Sequence, residues 1–221
     1  MKIMVTLAFE GDRVTFTETV LRTLKDVVAG GAASQASLDV RLPDSELEPF
    51  GPDLMRPLEA SAVVALWESD PKSAVHLSLP STARLVGAYQ VDEVVKKDYD
   101  RTWPSAAPSP GFKMIALLRR RDDLTHGQFS EHWRNNHGPL AAARQPGFWH
   151  YVQNHVIEVL TDTTPHWDGI GEIHYRHVDD ALYRSYDSDE AQQLIWEDVA
   201  RFLNYQESPT LTTNEWVVTQ G

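Results

Sequence analysis

The chain has 221 residues, 42% hydrophobic and 10% aromatic, the composition of a folded protein with one large domain or two of about 100 residues. Its formal net charge of -12 argues against nucleic acid and anionic membrane surfaces as partners, and no apolar run approaches the roughly 20 residues of a spanning helix. It has no cysteine, which removes disulfides, thiolate catalysis and Cys-bound zinc or iron–sulfur sites and fits a cytoplasmic protein.

A strand is predicted over residues 1–7; this apolar stretch is too short for a signal-peptide core and is soon followed by Glu10 and Asp12. Thr15-Phe16-Thr17-Glu18 reads as a capping box. The helix it opens carries Val20, Leu21, Leu24, Val27 and Val28 at helical spacing and ends at Gly30-Gly31. Strands are predicted over 37–42 and 61–67, a short helix over 71–79 and a strand over 84–95. Residues 101–110 hold three prolines and two serines and read as a semi-extended connector.

The same order then recurs. Residues 113–119 form a strand, and Thr125 with Gln128 forms a second capping box for a helix over 125–137, which Gly138-Pro139 closes. Strands follow over 150–160 and 169–176. A lead-in over 179–186, a helix over 189–203 and a strand over 214–219 complete the chain. Leu118 corresponds to Leu7 at an offset of 111, and Thr125 to Thr15 at an offset of 110, so the chain reads as one module written twice.

Each module is β-α-β-β-α-β, the ferredoxin-like unit. Runs such as Ala62-Val63-Val64-Ala65-Leu66 and Met114-Ile115-Ala116-Leu117-Leu118 are apolar at every position, which implies burial of both sheet faces. The predicted fold is therefore α+β. Two tandem repeats, residues 1–100 and 111–221 joined by 101–110, pack sheet to sheet as a pseudo-dimeric α+β barrel within one chain. A homodimer through another surface is allowed but not required. The competing arrangement is two independent domains on a string.

Candidate site residues lie in the second repeat. Phe129, Trp133 and His137 are four apart and share the helix face that meets the sheet. His137 is either an acid–base group or a ring that caps the last free carbonyls. Asp198 interrupts the apolar stripe Leu194, Ile195, Val199, Phe202, where a carboxylate is costly unless paired or useful; otherwise it turns out to solvent. On the strand from His150, Tyr151 and His155 share one face and Asn154 lies on the other; Glu172 is a further candidate wall residue.

Stronger signals are missing: Gly169-Ile170-Gly171 lacks the third glycine of a dinucleotide fingerprint, and there is no nucleophile elbow or phosphate loop. His132 and His137 are five apart, which does not align them on an α-helical face, so no metal site is predicted.

The words Lys113-Met114-Ile115-Ala116-Leu117-Leu118-Arg119-Arg120, Phe129-x-x-x-Trp133-x-x-x-His137-Gly138-Pro139-Leu140, Tyr151-Val152-Gln153-Asn154-His155, Trp167-Asp168-Gly169-Ile170-Gly171-Glu172 and Arg201-Phe202 resemble the EthD family of the dimeric α+β barrel superfamily. The first repeat keeps the strand–helix outline without the His-Gly-Pro ending. The resemblance implies small-molecule work without an organic cofactor, as in muconolactone-type isomerases and polyketide cyclases. Related folds hold haem, as in dye-decolourising peroxidases and chlorite dismutases, but their haem-ligand pattern is not located here.

The expected function is a cofactor-independent lyase or isomerase acting on an apolar cyclic or aromatic molecule. His137 moves the proton and Asp198 orients it or takes a second proton. Tyr151, Asn154, His155 and Glu172 hold substrate oxygens, and Phe129, Trp133 and Trp196 supply apolar wall. The alternatives are a non-catalytic small-molecule-binding accessory protein and a haem-binding barrel.

Overall fold

The structure is a computed structural model that describes residues 1–48, 58–71, 74, 76–162 and 166–220. Its strands are β1 (Lys2–Phe9), β2 (Gln35–Arg41), β3 (Ala62–Trp67), β4 (Ala83–Lys97), β5 (Phe112–Leu118), β6 (His150–Val159), β7 (Gly169–Tyr175) and β8 (Thr210–Thr219). They close into one antiparallel barrel in the order β1-β3-β2-β8-β5-β7-β6-β4. Each half contributes four consecutive strands, β4-β1-β3-β2 and β8-β5-β7-β6, and the seams are the pairs β2–β8 and β4–β6.

The helices lie outside the ring: α1 (Arg13–Ala29), the single turn α2 (Asp44–Leu47), α3 (His126–His132), α4 (Gly138–Arg144), α5 (Val178–Tyr183) and α6 (Asp189–Phe202). None is long and apolar enough to cross a membrane.

Strand alternation explains why β1, β3 and β5 are apolar at nearly every position. Ile3, Val5 and Leu7 pack outward in the cluster that holds Phe16, Val20, Leu24 and Val28 of α1. Met4, between them, points into the ring beside Val63, Tyr89, Ile115, Leu117 and Ile170. Both sheet faces are thus buried, as the residue pattern predicts.

The rest of the barrel interior is ionic. Lys113 Nζ lies 2.7 Å from Glu172 and 3.3 Å from Asp39 and also bonds Glu215. Lys2 Nζ reaches Glu172 at 2.6 Å and Glu93 at 2.8 Å. Asn154 donates to Glu172 Oε1 at 2.8 Å. Burial pushes the Asp39 carboxyl up to about 7 against the pull of Lys113. Burial acts the same way on Glu172 and Glu215 and is the largest single influence on each, but Lys113 combined with Lys2 at Glu172, and with His174 and Ser109 at Glu215, outweighs it and holds both below the usual carboxylate range.

The signs are opposite. Asp39's contribution to stability is complete below the ordinary carboxylate range and is lost as pH rises through about 7. That of Glu172 and Glu215 is complete above the ordinary range and is lost as pH falls. Stability should therefore peak at mildly acidic pH. Asp39→Asn should flatten the alkaline decline, read as melting temperature at about pH 6 and about pH 8; an unchanged decline would contradict this.

Several local details differ from the sequence reading. The cap of α1 is Asp12, whose Oδ2 accepts from Thr15 N at 2.7 Å, so the helix starts at Arg13 rather than after Thr15. The second capping box forms as read, between Thr125 and Gln128. The connector is tied along β8, with Ala106 N and Ser109 N donating to Val217 O and Glu215 O. Strand β8 begins at Thr210, four residues early, because Thr210–Thr213 pair with β5. The helix predicted over 71–79 falls partly on residues 72, 73 and 75, outside the described residues.

Candidate active site

Gly138-Pro139 does not stop the helix. The chain runs from α3 through one π-helical turn, Trp133–His137, directly into α4. A proline ring collides with the carbonyl four residues back and offers no N–H. The wider turn accommodates it, with Gly138 N donating five residues back to Trp133 O. The loosened carbonyls find other donors: Gln153 Nε2 bonds Trp133 O and Lys96 Nζ bonds Arg134 O, both at 2.8 Å. Gly138 serves close approach, not termination, since a Cβ there would lie 2.6 Å from Lys96 Cε and 2.8 Å from Gln153 Nε2.

The π turn changes which residues are neighbours. With bonds spanning five residues, His132 and His137 come onto one face, contrary to the α-helical expectation. Both rings bond Asp198: His132 Nε2 to Oδ1 at 2.8 Å and His137 Nδ1 to Oδ2 at 3.0 Å. Asp198 sits on the buried stripe Ala191, Ile195, Asp198, Phe202 of α6. Burial would raise its carboxyl, but hydrogen bonds from His137 and then His132 hold it below the usual value. An ionised carboxylate only accepts, so each ring presents an N–H to it. That assignment leaves the Nε2 lone pair of neutral His137 free.

His137 lines a cavity of about 370 Å³ between the second half's sheet and its helices. Ala116, Gly171 and Ile173 line it from the sheet, and Ile195, Trp196 and Val199 line it from α6. Its polar lining includes His137, Tyr151, Gln145, Tyr175, Ser185 and Tyr186. Burial pushes the Tyr151 phenol up to about 12 against hydrogen bonds from Gln153 and Trp133, so it stays protonated. Its oxygen accepts from Gln153 Nε2 at 3.0 Å, which leaves its own O–H to donate.

Of the residues singled out in the sequence, His137, Trp133, Tyr151 and Trp196 line this cavity, and Asp198 stands one hydrogen bond behind. Phe129 is fully buried behind the wall, against Trp133 and Phe202. His155 shares the sheet face of Tyr151 but lies outside the cavity, bonded to Ser130 Oγ at 2.7 Å and covered by Trp133. Burial, reinforced by Arg134, brings its ring down to about 4.

Asn154 and Glu172 belong elsewhere. Successive strand residues face opposite ways, so Gly171 and Ile173 floor the cavity while Glu172 and Asn154 point into the barrel's ionic cluster. Sequence reasoning missed His132, because its partnership with His137 needs the π turn. It also missed Tyr175, Ser185 and Tyr186, whose types carry no distinctive spacing.

Metal-ligand geometry at the histidines is poor. Their ring nitrogens sit on different oxygens of one carboxylate and do not converge on a point. Among the described residues, Asp39, Glu172 and Glu215 do converge, but the Lys113 ammonium already bonds all three.

Residues 121–206 match the model of the EthD domain. No curated protein matches the chain. Among solved structures, an anthrone oxidase-like protein superposes with a TM-score of 0.57 at 11% identity, covering 98% of this chain and 91% of its own. A candidate monooxygenase from Lactobacillus acidophilus NCFM gives 0.54 at 12%, covering 100% and 95%. A chlorite dismutase mutant from Candidatus Nitrospira defluvii gives 0.51 at 11%, covering 97% and 90%. At such identities the likeness is one of fold. Residues 121–206 thus resemble an EthD domain, and they sit in a chain whose fold is like that of the anthrone oxidase-like protein.

Proposed function

We propose that this protein is an enzyme that removes a proton from carbon in a flat, largely apolar cyclic molecule carrying one or more oxygens. The observation behind this reading is the Asp198–His137 pair, bonded at 3.0 Å, with the ring's other nitrogen free at the wall of an apolar cavity. Asp198 fixes the tautomer and stabilises the imidazolium once it forms. Tyr151 O–H donates to the ligand oxygen on which charge accumulates. Trp133 and Trp196 flank the ring system and exclude water.

In a lyase or isomerase the abstracted proton is returned at another atom, or a leaving group departs with the electron pair. The neighbours named as anthrone oxidase-like and as a monooxygenase support a second outcome of the same first step. There the carbanion reacts with dioxygen, and a ring CH₂ becomes C=O with release of water.

His137 is the residue that could offer haem a nitrogen ligand, and its Asp198 bond would support it in that role. However, among the described residues no Lys or Arg lines the cavity to hold the two propionates, so the residues present do not fit the group. Strand order also supports tandem ferredoxin-like repeats, 1–100 and 111–221 joined by 101–110, as an internal pseudo-dimer.

The test is a panel of hydroxylated polycyclic ketones and anthrones, followed by tryptophan fluorescence, product analysis and an oxygen electrode. Turnover without oxygen uptake identifies a lyase or isomerase, and stoichiometric uptake identifies the oxidative outcome. Binding without product would replace catalysis by a carrier role. Added haemin should show no shift or sharpening of its absorbance band and should not co-elute with the protein.

A further inference from the structure

We propose that His132 is a second acid–base group of this site, coupled to His137 through Asp198 and exchanging its proton with solvent while His137 exchanges one with the ligand. The inference rests on the reading that His137 acts on a cavity ligand.

The geometry is that of one carboxylate shared by two imidazoles, with each oxygen accepting from one ring. The rings differ in outlook. His137 lines the cavity, whereas the His132 side chain is 21% exposed and is absent from the cavity wall. Phe202 covers both rings, at 5.1 Å from each. The second nitrogen of each ring, Nδ1 of His132 and Nε2 of His137, makes no hydrogen bond among the described residues. One nitrogen is therefore left for the ligand and one for water.

A single negative charge between two rings favours one added proton and resists a second. When His137 Nε2 takes a proton from the ligand, an N–H bond forms, the C–H bond breaks and the electron pair stays on the ligand. The new positive charge repels the proton already held at His132 Nδ1. That N–H bond breaks and the proton goes to solvent water. The charge of the His132–Asp198–His137 group is the same before and after, and no proton has to pass through the carboxylate.

Tyr151 from β6 is a titratable group that senses Asp198, while Lys96 from β4 and Arg134 of the π turn are charged groups near His155. Lys96 is bonded to Arg134 O, and Arg134 is paired with Asp92. A one-way exit for the substrate proton suits a reaction that does not return it to the same carbon.

The experiment uses the full chain labelled with ¹⁵N-histidine and needs no ligand. Ring ¹⁵N shifts of His132 and His137 are followed against pH in the parent protein, His132→Gln and Asp198→Asn. The expected result is linked titration, with both inflections visible in each ring's curve. The amide introduced by His132→Gln can still donate an N–H to Asp198 and keep it in place, so this variant should leave His137 with a single inflection. Asp198→Asn should remove the linkage.

A His137 curve identical in the parent and in His132→Gln would overturn the proposal. Linked curves combined with turnover that survives loss of His137 would sink the functional reading and leave the linkage standing. Independent curves combined with His137-dependent turnover would sink the linkage alone.

Discussion

His137→Ala should lower kcat on any compound converted in the panel by about 10²–10⁴-fold, the usual contribution of a positioned general base. The ring lies at the cavity wall and makes one hydrogen bond to the ionised Asp198, so its loss should cost about 1.5–3 kcal/mol of stability. For a chain of this length that is about 3–12 °C in melting temperature. Kinetics and thermal unfolding on the same preparation separate the two effects. An alanine variant that is equally active would end the catalytic assignment. One that fails to fold would be replaced by His137→Gln, which keeps a donor toward Asp198 but has no basic nitrogen to face the cavity.

Lys113→Met should be among the most destabilising single changes in the chain. The methionine fills similar volume, but it leaves Asp39, Glu172 and Glu215 buried together with their shared cation gone. Removing one partner from a buried ion cluster costs about 3–5 kcal/mol, because the remaining charges cannot regain water. Urea unfolding should show a midpoint lowered by that free energy divided by the slope, with the slope unchanged. The loss should shrink at acidic pH, where the three carboxyls can bind protons in compensation. A variant within about 1 kcal/mol of the parent at neutral pH would mean that the interior is wetter than its near-complete burial indicates.

How far the sequence could be read follows from which physical signals it carried. The strands were visible because burial on both faces leaves uninterrupted apolar runs. The same property hid which face was which. Neither side of β7, nor of β6 from His150 to Val156, is exposed, so polar residues on both sides look alike in the sequence. The sequence therefore offers Asn154 and Glu172 as cavity residues, whereas they belong to the ionic interior. Asp198 was legible as a carboxylate in an apolar stripe, and His137 as the end of an aromatic row. His132 was invisible to any argument based on 3.6 residues per turn. Only the insertion of one wide turn, favoured by Pro139, brings it to Asp198.

The ring's closure has a practical consequence. A sheet margin with unpaired peptide groups is a template for association with other chains, and here every strand has a neighbour on both sides. Expressing either half alone would strip the partners from two margins at once, β2 and β4 in one case and β6 and β8 in the other. Truncation to the recognisable segment would thus give an adhesive fragment that tends to self-associate, so work on its chemistry calls for the intact polypeptide.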